Sequence, residues 1–547
     1  MVNSTLTSIQ DTSHDNNVGK EKVYLSLEDA LKNPLDVTVL YINEQKLEEI
    51  DPKIAELKNL EELNLSFNNL KKLPSIIGQL KNLRVLTLAG NQLILLPDEL
   101  ASLQNLEELH LDFNQISKMN PNLSGLKKLK HISLLGNPIS SLPDSYKYFQ
   151  SLEKLDLSFT LIDKIPLPLF SVKSLKELYL EDLILEKLPE EIGNLTNLEV
   201  LSLKGNAIDY LPEGIGKLRN LKVLNLNNNS IVKLPRGLAT CLKLEKLFLS
   251  ENKLESVAQE LNRLLSLIEL DLSRNKIGYL STNFGEMTHL ERLDLQNNPL
   301  KNFPAGLGNL QHLRFLGIVE SKIQVIPQEL FSLESLDTLV LAKSLIKKIP
   351  NDIGKLSNLK FLSLNGNMIE SLPESFCKLT QLKYLRVEGN QIKNLENCFT
   401  KLNSLEYLNI SGNDFSDFPQ EVFGCTQLKT LKAQALQVYN FPDQFDAFPY
   451  LRHLDLGSNY MKNVPQSIGK LQNLEILELY TNSLASFPFN LNNFKVLTEL
   501  YLGDNKLTQL PEGIEGSALK LLEIGKNSID QNLISDLKKD FPKLKIK

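Results

Sequence analysis

Leucine and isoleucine recur at fixed positions along almost the whole chain, in the pattern LxxLxLxxNxLxxLPxxIgxLxx. The segment LEELNLSFNNLKKLPSIIGQLKN shows the pattern most clearly, with Leu60 first, Asn68 ninth and Pro74 fifteenth. The period is 23 residues, and the first positions run from Val37 to Leu519, with a last interval of 22, which makes 22 repeats. Self-similarity at a fixed period predicts a repeat architecture.

Each repeat opens with a segment whose alternation predicts a short β-strand. Leu63 and Leu65 alternate with Glu62 and Asn64, so the leucines face one side of the strand and the polar residues face the other. Position fifteen is proline in 16 of the 22 repeats, and proline fixes φ where the chain leaves the strand. We therefore expect the return segment of each repeat to be irregular or briefly helical.

Position nine is asparagine in 16 of the 22 repeats. Its amide can satisfy backbone groups of the turn that would otherwise be buried without partners, so stacked repeats should form a structural asparagine ladder. The ladder residues are Asn68, Asn91, Asn114, Asn137, Asn206, Asn229, Asn252, Asn275, Asn298, Asn367, Asn390, Asn413, Asn459, Asn482, Asn505 and Asn527. The remaining positions hold Gln45, Thr160, Leu183, Ser321, Ser344 and Leu436. We expect local weak points at these departures, above all at the two leucines, which cannot hydrogen-bond.

A single unit of this length cannot bury its leucines alone, so neighbouring repeats must stack and share one core. One strand per repeat then gives a solenoid with a parallel sheet of about 22 strands. Substituting a core leucine such as Leu224 would damage packing and would not probe function.

Residues 37–530 resemble the leucine-rich-repeat family through this motif. The LP and IG positions are similar to the 23-residue intracellular subtype of Ras-pathway scaffolds and plant Ras-group-related proteins, and to many bacterial arrays. The resemblance implies an α/β solenoid, a leucine-rich-repeat horseshoe. Its concave parallel β-sheet would bind protein partners, and its convex face would consist of irregular or short helical segments.

The ends of the chain depart from the repeat. Residues 1–20 are polar and aperiodic and are expected to be a disordered tail. Residues 21–36 are expected to form a capping helix with Ser26 as N-cap and Pro34 as its stop, and SLEDALKNPLDVTVLYIN also resembles the cap of bacterial arrays. Residues 531–547 are amphipathic through Leu533, Leu537 and Phe541 and are expected to cap the other end.

Composition narrows the function classes. The formal charge of −6, from 60 Lys and Arg against 66 Asp and Glu, disfavours a nucleic-acid binder. We find no apolar run long enough to span a membrane and no secretory leader, so the expected compartment is the cytoplasm. The cysteines Cys241, Cys377, Cys398 and Cys425 form no disulfide framework and are expected to be free thiols. Cys377 and Cys398 lie on adjacent turns and are the pair that merits a redox test.

The sequence shows no phosphate loop, GxSxG elbow, HExxH motif or dinucleotide fingerprint. We therefore expect no enzyme activity, no catalytic residue, no cofactor, no metal site and no small-molecule substrate. His110 and His131 fall on neighbouring strands beside Glu108 and Asp112, and an ordinary solvated cluster is the favoured interpretation.

The outward strand positions (third, fifth, seventh and eighth of each repeat) can report function because the core does not select them. They hold 19 acids and 9 bases, and the acids concentrate at Asp156, Glu177, Glu181 and Asp182 around Tyr179. Such a stretch would steer a basic partner, although a merely solubilising surface is an equally good explanation.

Aromatic residues mark a second candidate binding area. Phe361, Tyr384 and Tyr407 occupy the third position of three consecutive repeats, with Phe315 earlier in the same column and Arg386 beside it. Outward aromatics with an arginine are typical of binding hot spots. Phe67, Phe113 and Phe159 recur at the eighth position, where we expect a structural role.

These observations favour a non-enzymatic scaffold that binds a protein on its concave face. Its partner would be basic or related to GTPases, and its setting intracellular signalling. One alternative is a bacterial secreted or surface-displayed adhesin or effector. An enzyme with an unrecognised site is less favoured.

Overall fold

The computed structural model describes residues 22–257, 259–280 and 284–547, so the predicted tail at 1–20 lies outside the described residues. The chain divides into two compact units. The first comprises the described residues up to Ile208 together with Gly214–Val223, and the second comprises Asp209–Glu213 and Leu224–Lys547.

The first unit consists of short parallel strands that pair in chain order. Residues one repeat apart stand side by side, as in the pairs Leu63 with Leu86 and Leu86 with Leu109. Its strands are β1 Val23–Tyr24, β2 Val39–Tyr41, β3 Glu62–Asn64, β4 Val85–Thr87, β5 Glu108–His110, β6 His131–Ser133, β7 Lys154–Asp156, β8 Glu177–Tyr179 and β9 Val200–Ser202. Strand β10, Val223–Asn225, contains the division between the units.

The second unit follows the same plan, with parallel pairs such as Leu362 with Leu385. Its strands are β11 Lys246–Phe248, β12 Glu269–Asp271, β13 Arg292–Asp294, β14 Phe315–Val319, β15 Thr338–Ala342, β16 Phe361–Ser363, β17 Tyr384–Arg386, β18 Tyr407–Asn409, β19 Thr430–Lys432, β20 His453–Asp455, β21 Ile476–Glu478, β22 Glu499–Tyr501, β23 Leu521–Glu523 and β24 Lys545–Ile546. Strands β2 to β23 correspond to the predicted repeats, and β1 and β24 are additional.

Short 3-10 helices form most of the return segments, and proline precedes many of them. Pro74, for example, adopts extended φ and ψ angles before Ser75–Gln79. The 3-10 helices are Pro34–Asp36, Pro52–Glu56, Ser75–Gln79, Asp98–Ser102, Pro121–Gly125, Asp144–Tyr148, Leu167–Ser171, Glu190–Asn194, Glu213–Lys217, Arg236–Thr240, Gln259–Arg263, Phe284–Glu286, Leu307–Asn309, Gln328–Ser332, Asn351–Lys355, Glu374–Lys378, Asn397–Lys401, Gln420–Gly424, Phe445–Ala447, Gln466–Lys470 and Leu491–Asn493. The predicted solenoid of parallel strands and short helical turns is confirmed.

The core of each unit lies between the strands and the return segments. Leu60, Leu63, Leu65 and Ile77 are all fully buried, as the alternation predicted. Burying a leucine contributes roughly 1.5–3 kcal/mol, so the stacked leucines hold the repeats together.

The eighth residue of every repeat adopts a left-handed backbone conformation. Six of these residues are glycines, such as Gly90 with φ 67°, and the other sixteen are not glycine. The turn requires this conformation because the N–H of position eight donates across to the next repeat, as Phe67 N–H does to the Ala89 carbonyl at 2.7 Å. The sequence did not predict this feature, because glycine is in the minority at the position.

The caps differ in part from the predicted helices. Ser26 does cap a helix, accepting the Asp29 N–H at 3.1 Å, but α1 covers only Leu27–Ala30 and follows strand β1. At the other end α2 covers Gln531–Asp540 and precedes strand β24. Leu537 is buried, whereas Leu533 is 46% exposed and does not close the last repeat as expected. Strands of two residues have no detectable periodicity, so the pattern could not predict them.

The serine departures from the ladder coincide with longer strands. Beside Ser321 and Ser344, strands β14 and β15 are five residues long and stay in register over their whole length. The two hydroxyls lie 2.7 Å apart and form a hydrogen bond with each other. The weak point expected at these two positions stays a prediction.

Candidate protein-binding face

The outward side of the strands brings residues of equal repeat position into columns. In the second unit Phe361 stands beside Tyr384, and Tyr384 stands beside Tyr407. We call these three residues the aromatic strip. The strip exists because parallel strands in register superimpose every repeat on the next.

The rings of the aromatic strip stack on one another. The centroids of Phe361 and Tyr384 are 6.0 Å apart with their planes inclined by 29°, and those of Tyr384 and Tyr407 are 6.0 Å apart at 27°. Tyr384 is 42% exposed, and its two neighbours are half-buried. Burial raises the pKa of the Tyr407 hydroxyl, which therefore remains a neutral donor.

Phe315 lies in the same column but outside the aromatic strip. Thr338 stands between Phe315 and Phe361. The guanidinium of Arg292 lies 3.5 Å from the centroid of the Phe315 ring, and its Nη2 donates to Asp294 Oδ2 at 3.0 Å. A stacked arginine already covers this ring, so Phe315 offers less surface to a partner.

Arg386 stands beside the strip and is held by Glu388. Its Nε donates to Glu388 Oε1 at 2.9 Å, and its Nη2 contacts the same oxygen. The side chain of Arg386 is 43% exposed and that of Glu388 is 18% exposed. Within the described part of the chain, the buried Glu388 Oε2 has no hydrogen-bond donor. That oxygen is shielded from solvent, so Arg386 is the member of the pair that a partner can contact.

The acidic stretch of the first unit comprises Asp156, Glu177, Tyr179, Glu181 and Asp182. Lys154 Nζ lies 3.1 Å from Glu177 Oε2 and 5.2 Å from the centroid of the Tyr179 ring. The Tyr179 hydroxyl donates to Glu177 Oε2 at 3.0 Å, and burial raises its pKa. One carboxylate of the stretch is therefore already engaged by a cation and a phenol.

The other acids of the stretch are partly satisfied within the chain. Asp156 Oδ1 accepts the Ser158 N–H at 2.8 Å, and burial raises the pKa of its carboxyl. Glu181 Oε1 accepts the Ser202 hydroxyl at 2.5 Å. Asp182 is half-buried at an eighth position with φ 49°. These contacts make the stretch less negative toward a partner than its composition suggests.

The ladder asparagines form hydrogen bonds with backbone groups of their own repeat and of the preceding repeat. Asn114 Nδ2 donates to the carbonyls of Leu88 and Leu111, both at 3.0 Å, and its Oδ1 accepts the Leu93 N–H at 2.9 Å. Asn367 makes the equivalent contacts in the second unit. These side chains shape the turns and are not available to a ligand.

Two ionisable clusters on the outward side lie apart from the aromatic strip and the acidic stretch. Glu108 lies 3.2 Å from His110 Nε2 and 3.5 Å from His131 Nδ1, and these bonds hold its pKa well below the usual range. Asp455 is buried beside Glu478, which raises its pKa to about 6. The His110 and His131 cluster was visible in the repeat positions. Asp455 and Glu478 share the fifth position of adjacent repeats, which could have revealed their proximity.

Cysteine chemistry differs from expectation at one site. Cys377 is disulfide-bonded, so the prediction of free thiols is wrong there, whereas Cys241 and Cys425 are buried free thiols. Cys377 belongs to the 3-10 helix Glu374–Lys378, which packs against the helix Asn397–Lys401 of the next repeat. The side chain of Cys398 lies outside the described residues. The repeat period had already placed Cys377 on a turn adjacent to that of Cys398, as the pair that merits a redox test.

Among the described residues, no group of three or more His, Cys, Asp or Glu side chains is placed to hold a metal ion. None of the helices in residues 22–257, 259–280 and 284–547 has the length and apolar character needed to cross a membrane.

Family models match most of the chain. The model described as a leucine-rich repeat region matches residues 169–279, 290–373 and 338–444. Models described as leucine rich repeat and as two copies of leucine rich repeats match residues 36–93 and 104–147. The chain belongs to the leucine-rich-repeat family. Proteins of this family and fold are typically non-enzymatic, protein-binding scaffolds.

Solved structures of leucine-rich-repeat proteins resemble this array over nearly its whole length. The ectodomain of the Arabidopsis receptor kinase HAESA, in complex with an N-terminally extended IDA peptide hormone, is 26% identical, with 93% of this chain and 85% of that chain covered and a TM-score of 0.61. A TDR receptor is 22% identical, with 93% of this chain and 92% of the receptor chain covered and a TM-score of 0.70. A leucine-rich-repeat protein of Leptospira interrogans is 26% identical, with 96% and 100% covered and a TM-score of 0.49. No curated protein matches the chain.

Proposed function

We propose that this leucine-rich-repeat chain is a non-enzymatic scaffold that binds another protein on the outward face of its strands, with the aromatic strip as an anchor. The observation that carries the proposal is the strip itself. It presents stacked rings of Phe361, Tyr384 and Tyr407 beside Arg386, whose side chain is 43% exposed. Aromatic and arginine side chains dominate binding hot spots.

A relative of the same fold supports the proposal. The HAESA ectodomain was solved with a peptide hormone bound, so this type of array can hold a polypeptide ligand. For the present chain, the acidic outward positions favour a basic partner. We place this binding in intracellular signalling, with a GTPase-related protein as one partner to examine.

Alanine substitution of the aromatic strip tests the proposal. The variant carrying Phe361→Ala, Tyr384→Ala and Tyr407→Ala should lose the partner that the intact chain captures from its own cells. Each truncation at a hot spot costs about 2 kcal/mol or more of binding free energy. The affinity of the triple variant for the partner should therefore fall by more than about a hundredfold. Capture followed by mass spectrometry identifies the partner, and interferometry with the purified partner then measures the affinity.

A matched control is the double variant Tyr439→Ala and Tyr460→Ala. These rings also stack, with centroids 4.9 Å apart, and are 62% and 44% exposed, but they lie in the turns and not on the strands. The control should keep the partner. The competing explanation is that the strip only stabilises the sheet, by about 0.2–1 kcal/mol per cross-strand pair. A strip variant that unfolds at lower temperature yet binds normally would refute the proposal.

A second candidate function is a binder displayed or secreted outside the cytoplasm. The disulfide at Cys377 favours it, because disulfides persist in oxidising compartments. Alkylating free thiols during lysis of the native cells, followed by mass spectrometry of the Cys377 peptide, separates the candidates. A reduced thiol supports the cytoplasmic scaffold, and an oxidised one supports the exported binder.

A further inference from the structure

The eighth positions of the first unit form a row with a regular alternation. In chain order the row contains Glu44, Phe67, Gly90, Phe113, Gly136, Phe159 and Asp182, all with left-handed backbone angles. The left-handed conformation is common to the eighth position of every repeat and belongs to the turn, so the feature particular to this row is a phenylalanine at every second repeat.

The three rings of this row are exposed. Phe67 is 39% exposed, Phe113 is 40% and Phe159 is 50%, so each ring presents surface to solvent in addition to its contacts within the array. Each of the first two rings lies over the glycine of the following repeat. A Cβ at Gly90 would come within 2.5 Å of Phe67 Cδ1, and one at Gly136 within 2.8 Å of Phe113 Cδ1. Glycine therefore makes room for the rings to lie across the row.

The spacing of the rings matches one type of ligand backbone. Phe67, Phe113 and Phe159 are two repeats apart, which at the usual strand separation is about 9.6 Å. A polyproline II helix repeats every three residues and advances about 9.3 Å per turn. A β-strand presents the same side every two residues, about 6.6 Å, and an α-helix about every 5.4 Å, so neither fits as well.

The charges at the ends of the row add a second requirement, on the length and the charge of the ligand. Glu44 is exposed and Asp182 is half-exposed, and they flank the outermost rings. They are six repeats apart, or about 29 Å. Ten residue steps of polyproline II cover about 31 Å, so basic residues at both ends of an eleven-residue segment would reach both carboxylates. Aromatic grooves that recognise proline-rich segments use the same combination of flat rings and preformed ligand.

We propose that the row formed by Phe67, Phe113 and Phe159 binds a proline-rich segment in the polyproline II conformation, with a proline on each ring and a basic residue at each end. The segment would run across the strands. This site uses different residues from the aromatic strip, and the proposal does not depend on the function proposed for the strip.

Two synthetic peptides of identical composition test the proposal against the full-length chain. The matched peptide is RAPAAPAAPAR, with prolines three residues apart, and the mismatched peptide is RPAAAPAAAPR, with prolines four residues apart. Fluorescence anisotropy of the labelled peptides measures binding. The matched peptide should bind about tenfold more tightly or better, because only its prolines coincide with all three rings. Equal affinity for the two peptides would overturn the proposal.

Glycine is the informative substitution in the protein. The variant carrying Phe67→Gly, Phe113→Gly and Phe159→Gly adopts residues that the alternate repeats already use, so it should fold and melt within a few degrees of the natural chain. The triple glycine variant should no longer bind the matched peptide. The double variant Glu44→Gln with Asp182→Asn should bind this peptide more weakly, and its binding should depend less on salt. The alanine variant of the aromatic strip should bind the matched peptide normally.

Unchanged affinity in the triple glycine variant would contradict this site, because the peptide would then bind elsewhere. If the triple variant instead loses thermal stability, the rings also act as packing groups, and the single variant Phe159→Gly decides the question. That ring is the most exposed of the three, so its removal should weaken the matched peptide while the protein melts normally; normal binding by this variant would overturn the proposal.

Discussion

At the scale of single residues, burial controls the charge that the strand face presents. The carboxyls of Asp112, Asp156, Asp294 and Asp455 all have raised pKa values, and loss of hydration is the largest cause in each. They accept hydrogen bonds from nearby backbone N–H groups, as Asp455 does from Gly457 at 3.0 Å. These aspartates therefore serve the turns as acceptors and are costly when ionised.

Asp455→Asn should stabilise the chain at neutral pH. The native carboxyl keeps its proton up to about pH 6, whereas an unfolded aspartate loses it near 3.8, so the free energy of unfolding falls as the pH rises between these values. Asparagine retains the acceptor for Gly457 and removes the ionisation. We expect a gain of about 2 kcal/mol at pH 7.5 and little difference at pH 3.5, measured by chemical denaturation across this range.

His453 and Glu478 lie beside Asp455, with His453 Nε2 2.6 Å from Glu478 Oε1. His453→Gln is therefore the control for their contribution. A stability difference between Asp455→Asn and the natural chain that stays constant with pH would contradict the burial argument.

At the scale of elements, strand length departs from the common value beside the two adjacent serines of position nine. Strands have three residues beside asparagine and also beside Thr160 and Leu183, whereas those beside Ser321 and Ser344 have five. Leu183 instead leaves a hydrogen bond of its turn unmade. The buried Ile162 N–H, which an asparagine there would satisfy, has no acceptor within the described part of the chain.

Leu183→Asn should therefore slow amide exchange at Ile162. The new Oδ1 would occupy the position that Asn137 Oδ1 takes 3.1 Å from the Ile116 N–H. Ile116 is the internal control, and its exchange should not change. Hydrogen exchange read by NMR or mass spectrometry gives both rates, and an unchanged or faster Ile162 would contradict the ladder explanation.

At the scale of the whole molecule, the outward strand positions carry a charge of −10 within a chain of −6, so the remaining surface is positive by 4. Much of the acidity is neutralised locally by partners such as Lys154 or by burial. Electrostatics should accordingly assist the approach of a basic partner more than it holds the complex.

Charge reversal at the edge of the acidic stretch tests this view. Glu181→Lys with Asp182→Lys should slow association of a basic partner about tenfold at low salt, and the difference should shrink at high salt as the charges are screened. The variant Glu186→Lys with Glu191→Lys changes the net charge equally at exposed turn positions and serves as the control. Equal effects of both variants would show that only total charge matters.

The fold was predictable where one residue type repeats at one position. The positions represented by Leu63 and Leu65 predicted the strands, and the position of Asn68 predicted the ladder. The position of Pro74 predicted where the return segment begins. The left-handed eighth position was not predictable, because hydrogen bonds from the next repeat impose it on residues as different as Phe113 and Asp182. The terminal strands β1 and β24 were missed because they have no repeat pattern.

For the candidate site, the sequence predicted which residues share a column but not how they contact one another. The column of Phe361, Tyr384 and Tyr407 follows from the period alone. The cover of Arg292 over Phe315 and the bond from Arg386 to Glu388 depend on side-chain rotamers, which the period does not determine. The disulfide at Cys377 depends on stacking between repeats.

The two-residue strands β1 and β24 affect how the chain behaves at high concentration. A β-sheet edge with unpaired N–H and C=O groups is a template for other chains, and natural proteins protect themselves with very short edge strands. Strand β1 pairs only Val23 and Tyr24 with β2, and β24 pairs only Lys545 and Ile546 with β23. Within the described residues, the outermost strands of the sheet are therefore too short to offer a neighbouring chain a long template, which disfavours fibre growth by edge pairing at β1 and β24.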